Sequence, residues 1–145
     1  MKIVDVRIHR VTMPRDYRYI ARTPKEVCKV RPGVESRYFI YELMTDTGLR
    51  GIGEVSDVAA RMKALSAPAL RDLLAGVLVG QDPLRRRRAW EAFREAIPPA
   101  THPEYRQLVA ASLDMALLDL AGKHFGAPVY ELLGGRYWDA IPVSW

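Results

Sequence analysis

The hydrophobic repeat of this chain changes once, and that change limits the folds open to it. At residues 2–11, apolar residues alternate with polar ones, which is the period of a half-buried strand. From residue 66 onward they recur every three or four positions, which is the period of a helix. Strands followed by helices are typical of an α+β domain, and 145 residues suffice for one such domain with a core.

Three strands are predicted in the first part. Residues 2–11 alternate so that Val4, Val6 and Ile8 share the buried face of a first strand. Residues 38–45 and 49–55 flank the turn sequence Asp-Thr-Gly at 46–48, which predicts an antiparallel hairpin. The sequence therefore predicts a three-stranded antiparallel sheet.

About four helices are predicted in the second part. Ser66 is a candidate cap for the first, Asp82 with Pro83 for the second, and the pattern T-x-x-E at 101–104 is that of a capping box. The predicted helices run from 66 to 79, from 82 to 96, from 101 to 124 and from 128 to 133. The third is apolar on nearly all sides, which indicates a helix buried in the core.

Most of the net charge of +5 lies in the link between the first two strands. Residues 14–34 hold six basic and two acidic residues and show neither period. A link of this length is typical of a binding loop, and arginine and lysine beside Tyr17 and Tyr19 would suit a small anion. A solvated loop explains the composition equally well, and a non-catalytic module that binds an anion or nucleic acid is the alternative function.

Other charged groups predict structural roles. The four arginines at 85–88 spread around a helix, so they form no single basic stripe, and Arg87 would pair with Glu91. Asp119 would pair with Lys123, and Asp114 points elsewhere. No catalytic or metal-ligating set is evident. The single cysteine, the absence of a long apolar run and the charged N-terminus predict a cytoplasmic protein that engages no membrane. The lack of a helix-turn-helix, zinc-finger or aromatic RNA-binding signature favours a protein that engages no nucleic acid.

One segment carries a family resemblance. Residues 111–135, ASLDMALLDLAGKHFGAPVYELLGG, resemble the signature of the mandelate racemase and muconate lactonizing enzyme group of the enolase superfamily, S-L-D-x-A-L-x-D-L-x-G-K-x-x-x-x-P-V-x-x-L-L-G. Val109 stands where that group more often has alanine. The segments GIGEV at 51–55 and LVGQDP at 78–83 follow the same order, so the resemblance covers essentially the whole chain.

The resemblance implies an enolase-type N-terminal capping domain over residues 1–135, followed at 136–145 by the first strand of a (β/α)8 barrel whose remainder is missing. The whole enzyme would be a racemase, cycloisomerase or acid-sugar dehydratase, an isomerase or lyase that uses Mg²⁺ to abstract a proton α to a carboxylate. The metal ligands and catalytic bases of the family lie on the barrel. The chain alone is therefore expected to bind no metal, to contain no catalytic residue and to be inactive.

The resemblance also implies where the substrate is contacted. In the family, the loop after strand one and the short loop after strand three close over the barrel mouth. The corresponding candidate substrate-binding residues are Tyr17, Tyr19, Arg22, Lys25, Val55, Ser56 and Asp57. The expected substrate is a small carboxylate, and exposed apolar surface that normally meets the barrel predicts a homo-oligomer.

Overall fold

The computed structural model describes residues 1–14, 35–56 and 64–143. Its strands are β1 (Ile3–Pro14), β2 (Glu35–Thr45) and β3 (Arg50–Val55), and its helices are α1 (Ala67–Leu78), α2 (Arg86–Ala96), α3 (Pro103–Phe125) and α4 (Val129–Leu132). The three strands form one antiparallel sheet in the order β1-β2-β3. The predicted α+β class, sheet and number of helices are confirmed.

The hydrophobic core lies between one face of the sheet and the helices. Ile3, Val6, Tyr41, Leu43 and Val55 project into it from the strands. The helices contribute a larger buried set, namely Leu70, Leu74, Leu78, Ala89, Phe93, Ile97, Tyr105, Val109, Leu113, Ala116, Leu117 and Leu120. Ten residues of α3 are buried, as its nearly uniform apolar composition predicted. Within the described residues, no helix has the length and apolarity needed to span a bilayer.

The prediction that Val4 faces the core is wrong. The register shifts between Ile3 and Asp5, so two residues of β1 lie opposite one step of β2 and form a bulge. The bulge lets both Ile3 and Val6 point inward although they are three positions apart, and it leaves Val4 50% exposed.

Two of the predicted helix starts are also wrong. The side chain of Asp82 accepts a hydrogen bond from Leu84 N, and its carbonyl accepts one from Arg85 N, so a separate turn precedes α2. The capping position of α3 is His102 rather than Thr101, and no side chain caps that end. Ser66 does cap α1 by accepting from Ala69 N, and Gly126 ends α3 in a left-handed conformation, both as predicted.

The apolar run that begins at Ala140 was predicted to be a strand. Residues 140–143 have no strand partner in the described part of the chain, and Ile141 and Val143 are largely exposed. An isolated extended segment has no neighbour to accept or donate its backbone hydrogen bonds, so it is not counted as part of a sheet.

Candidate functional site at the loop end of the sheet

Both predicted binding loops are attached to the same end of the sheet. Pro14, the last residue of β1, pairs with Glu35, the first residue of β2, and β3 ends at Val55 opposite Phe39. Because the strands are antiparallel, β1 and β3 both run toward this end. We call it the loop end, since residues 15–34 follow β1 there and residues 57–63 follow β3.

The first loop is attached to a ribbon that projects beyond β3. Past the level of Val55, β1 and β2 continue to pair over residues 11–14 and 35–38, which is about 13 Å at the rise of a strand. Thr12, Met13 and Arg37 on this ribbon are exposed. Most side chains at the tip of this ribbon thus face solvent, although Ser36 is buried.

The second loop starts from a well-anchored strand end. Val55 is fully buried in the core, so its side chain fixes the strand where the loop begins. Ser56 is half-buried, and its hydroxyl donates a hydrogen bond of 2.6 Å to Glu54 Oε1. The other candidate residues, Tyr17, Tyr19, Arg22, Lys25 and Asp57, lie outside the described residues, and their contact with substrate stays a prediction.

Helix α3 approaches β3 so closely that only glycine fits at two positions. A Cβ on Gly51 would lie 2.6 Å from Leu120 Cγ and closer still to the Ala116 carbonyl oxygen. A Cβ on Gly53 would lie 2.7 Å from Tyr41 Cζ and would overlap the Ser112 carbonyl oxygen. The alternating glycines of GIGEV are the feature of the sequence that reflects this close approach.

Two buried tyrosines lie near the site but stay neutral at physiological pH. Burial raises the pKa of the Tyr41 hydroxyl well above its usual value, and the neighbouring Ser112 hydroxyl opposes this only in part. Burial raises the pKa of Tyr105 to about 12, against a smaller opposite effect of the Leu65 backbone. A phenol that holds its proton so firmly is a poor general base at neutral pH.

The charged helix residues form structural pairs, as predicted for two of them. Lys123 Nζ lies 2.7 Å from Asp119 Oδ2, and Arg87 Nε lies 3.2 Å from Glu91 Oε1. Arg86 instead reaches across to α3, where its Nη2 lies 2.7 Å from Asp114 Oδ1. Arg86 and Arg87 thus bind different partners and do not share one basic stripe.

The described ranges supply no metal centre. Within residues 1–14, 35–56 and 64–143, no group of three histidine, cysteine, aspartate or glutamate side chains is arranged to hold a metal ion. Magnesium prefers several oxygen ligands in octahedral geometry, so these residues do not fit it, and no metal-dependent step is derived from them.

The comparison with known families agrees with this architecture. Residues 19–134 match the family described as mandelate racemase / muconate lactonizing enzyme, N-terminal domain. This match spans most of the chain, and the chain belongs to that family.

The similar proteins are enzymes of the enolase superfamily. The chain is 30% identical to a D-galactarolactone cycloisomerase of Agrobacterium fabrum over 97% of its own length and 34% of the relative. A structure from Roseovarius nubinhibens ISM, assigned to the mandelate racemase/muconate lactonizing enzyme group and complexed with magnesium, is 30% identical with a TM-score of 0.69, covering 99% of this chain and 35% of that one.

A third similar protein carries a small acid. It is an enolase from Agrobacterium radiobacter, assigned as a galactarate dehydratase and bound to sodium and L-malate. The identity is 32% and the TM-score 0.63, over 96% of this chain and 29% of that one. The chain thus spans about a third of the length of each of these relatives.

Proposed function

We propose that this chain is the substrate-covering domain of a sugar-acid isomerase or lyase, with the loop end of its sheet facing the substrate. The observation that carries the proposal is that β1 and β3 end at the same end of the sheet, where residues 15–34 and 57–63 follow them in the chain. Two loops that start together can close together over one opening, which excludes water from the reacting groups.

The charge of the first loop suits an acidic substrate. Residues 14–34 hold six basic and two acidic residues, and a relative of this family was crystallised with L-malate, a dicarboxylate. Arg22 would bind a carboxylate with two parallel hydrogen bonds, and Lys25 would act as a mobile point charge. In this account the domain selects and encloses the acid, and the hydroxyl of Ser56 adds a polar contact on the second loop.

The chemistry itself is assigned elsewhere. We place the Mg²⁺ ligands and the base that removes the proton α to the carboxylate on a catalytic barrel, toward which residues 136–145 would lead. When bound there, the metal would stabilise the negative charge that forms on the carboxylate oxygens. In this proposal the domain only encloses and orients the substrate, so we expect the chain alone to catalyse no turnover.

The exposed apolar residues near the end of the described chain support a large contact surface. Phe125, Leu133, Tyr137, Trp138, Ile141 and Val143 are all exposed, Tyr137 to 87%. Exposed apolar side chains in such number within one stretch of sequence suit an interface. It would meet the barrel in an enzyme, and in the isolated chain it would drive association between copies. Sedimentation should show mass rising with concentration, and a monomer at high concentration would contradict this.

A chimera tests the proposed specificity role. This chain would replace the matching third of the Agrobacterium fabrum cycloisomerase, and kcat/KM would be measured for a panel of sugar acids. We expect the double substitution Arg22→Glu and Lys25→Glu to lower kcat/KM by about tenfold or more, since one lost charged contact costs about 1.5–3 kcal/mol.

The matched control moves the same amount of charge on another surface. Arg85→Glu with Arg88→Glu reverses two exposed arginines, the N-cap and a first-turn residue of α2. They lie beside Lys2, at the start of β1 and so away from the loop end. This control should leave the ranking of acids unchanged. If the Arg22 and Lys25 substitutions also leave it unchanged, the first loop does not select the substrate.

A further inference from the structure

Helix α3 occupies the free edge of β3. Ile52 N donates a hydrogen bond of 2.9 Å to Asp119 Oδ2, and Lys123 Nζ donates one of 2.6 Å to the Arg50 carbonyl oxygen. Lys123 also bonds Asp119 Oδ2 at 2.7 Å. Asp119 and Lys123 together are called the edge clamp below. The clamp takes backbone groups that a fourth strand would otherwise use.

The clamp belongs to one stripe of α3. Ser112, Ala116, Asp119 and Lys123 are spaced by four, three and four residues, so they share one face of the helix. The carbonyl oxygens of the first two lie against Gly53 and Gly51, and the side chains of the last two bond the strand edge. The same residues are part of the segment 111–135 that carries the family signature.

The first half of β3, Arg50 to Ile52, has no buried side chain to anchor it, whereas Val55 anchors its far end. The strand has six residues, and β2 is its one neighbour in the sheet. An edge strand presents unpaired N–H and C=O groups, and exposed ends of such strands open readily. Because a short strand is stiff, fixing its first half also fixes the direction of its other end. Ser56, which follows Val55 there, lies about 13 Å from Ile52 along the strand.

We propose that Asp119 and Lys123 are positioning residues, which hold β3 on α3 and thereby fix the direction in which the second loop leaves the sheet. The contact of the edge clamp with β3 does not depend on the proposed function. The effect of the clamp on substrate selection does rest on the proposed function. Asp119 and Lys123 would touch no substrate. Their i,i+4 pair, which the sequence presents as an ordinary surface pair, would therefore act on the site through β3.

Amide hydrogen exchange on the chain itself tests the clamp. We expect Asp119→Ala to speed exchange of the Ile52 amide by about tenfold or more, because a hydrogen bond to a charged group is lost. The Gly53 and Val55 amides alternate with Ile52 and so face β2. They should exchange several-fold faster if the whole strand loosens. Asp119→Asn keeps an acceptor oxygen and should restore most of the protection.

The matched control is Glu91→Ala. It removes another i,i+4 ion pair, that of Arg87 with Glu91, which has no bond to a strand. It should leave all three amides unchanged. Equal exchange of Ile52 in the wild type and Asp119→Ala would overturn the clamp. A faster exchange of the Ile52 amide with an unchanged rate at the Val55 amide would overturn the positioning role, since the effect would then be confined to Ile52.

The chimera adds a functional readout. Asp119→Ala should raise KM at least about threefold with kcat within about twofold, and Glu91→Ala should change neither, since loop placement affects binding more than chemistry. An unchanged KM would overturn the link to substrate selection. A chimera without activity would count against the proposed function, while the exchange result would still decide the positioning role.

Discussion

The two ends of the same sheet differ in how much they are packed. At the end that carries Ile3 and Leu43, side chains are fully buried beneath the helices. At the loop end, the continuation of the same strands places Met13 at 54% exposure and leaves Thr12 and Arg37 exposed. The packed end therefore supplies stability, whereas the exposed positions of the ribbon can vary with the substrate at little cost in stability. Ser36 and Val55, which are buried at the loop end, are exceptions.

The largest expected difference is between Leu43→Ala and Met13→Ala. Leu43 is fully buried, so its truncation should lower the free energy of unfolding by about 2–5 kcal/mol through lost burial and a residual cavity. Met13→Ala on the ribbon should stay within about 0.5 kcal/mol. Urea denaturation measures both. Comparable losses would show that the ribbon is packed as firmly as the core.

The next prediction concerns the close approach of α3 to β3. Gly53→Ala would overlap the Ser112 carbonyl oxygen, and we expect a loss of about 2–3 kcal/mol in the free energy of unfolding. Gly76 in α1 has open space around it, so Gly76→Ala should instead stabilise by about 0.5–1 kcal/mol. A tolerated alanine at position 53 would contradict the described contact.

Alkaline pH should destabilise the folded chain through a buried tyrosine of the core. The pKa of Tyr105 is raised to about 12 in the folded chain against 10.0 when unfolded, so the unfolded chain loses this proton first. Stability from this group is therefore constant below about pH 9 and falls by about 2 kcal/mol as pH rises from 10 to 12.

Two variants isolate that effect in denaturation at pH 7, 10 and 11.5. Tyr105→Phe removes the titrating hydroxyl and should lose less stability at high pH than the wild type. Tyr137→Phe removes an exposed hydroxyl and should lose as much stability at high pH as the wild type does. If both variants follow the wild type, Tyr105 does not contribute to the alkaline transition.

The smallest expected effect is at the helix starts. Ser66 Oγ accepts a hydrogen bond of 3.3 Å from Ala69 N, so Ser66→Ala should cost about 1 kcal/mol. Thr101, predicted as a cap, precedes the observed capping residue, and Thr101→Ala should stay within about 0.5 kcal/mol. Thermal unfolding compares the two variants directly. A larger loss of stability for Thr101→Ala would show that Thr101 caps α3 after all.

The period of the apolar residues was sufficient to predict the class, the hairpin and the buried α3. It failed where one local hydrogen bond or one extra residue decides the outcome. The bulge at Val4 shifts the alternation by one position, and the Asp82 side chain makes a turn instead of capping a helix. Neither choice is visible in hydrophobicity, because both depend on backbone geometry.

The candidate site was predicted from loop length, charge and family resemblance. That both loops leave at one end follows from the antiparallel order of three strands, which the sequence also predicted. The contact of Gly51 and Gly53 with α3 was missed, since a missing side chain has meaning only once the approaching helix is known. The spacing of the stripe from Ser112 to Lys123 is present in the sequence, but the sequence does not show that this face of α3 packs on β3.

The most direct test of the contrast between the packed end and the loop end transfers only the loop end into another enzyme. In the Agrobacterium fabrum cycloisomerase, the segments matching residues 11–38 and 55–63 would be replaced by those of this chain, and kcat/KM would be measured for the same panel of sugar acids. We expect the graft to give the substrate ranking of the chimera that carries the whole chain. A graft that keeps the ranking of the parent enzyme, while the whole-chain chimera departs from it, would contradict the account.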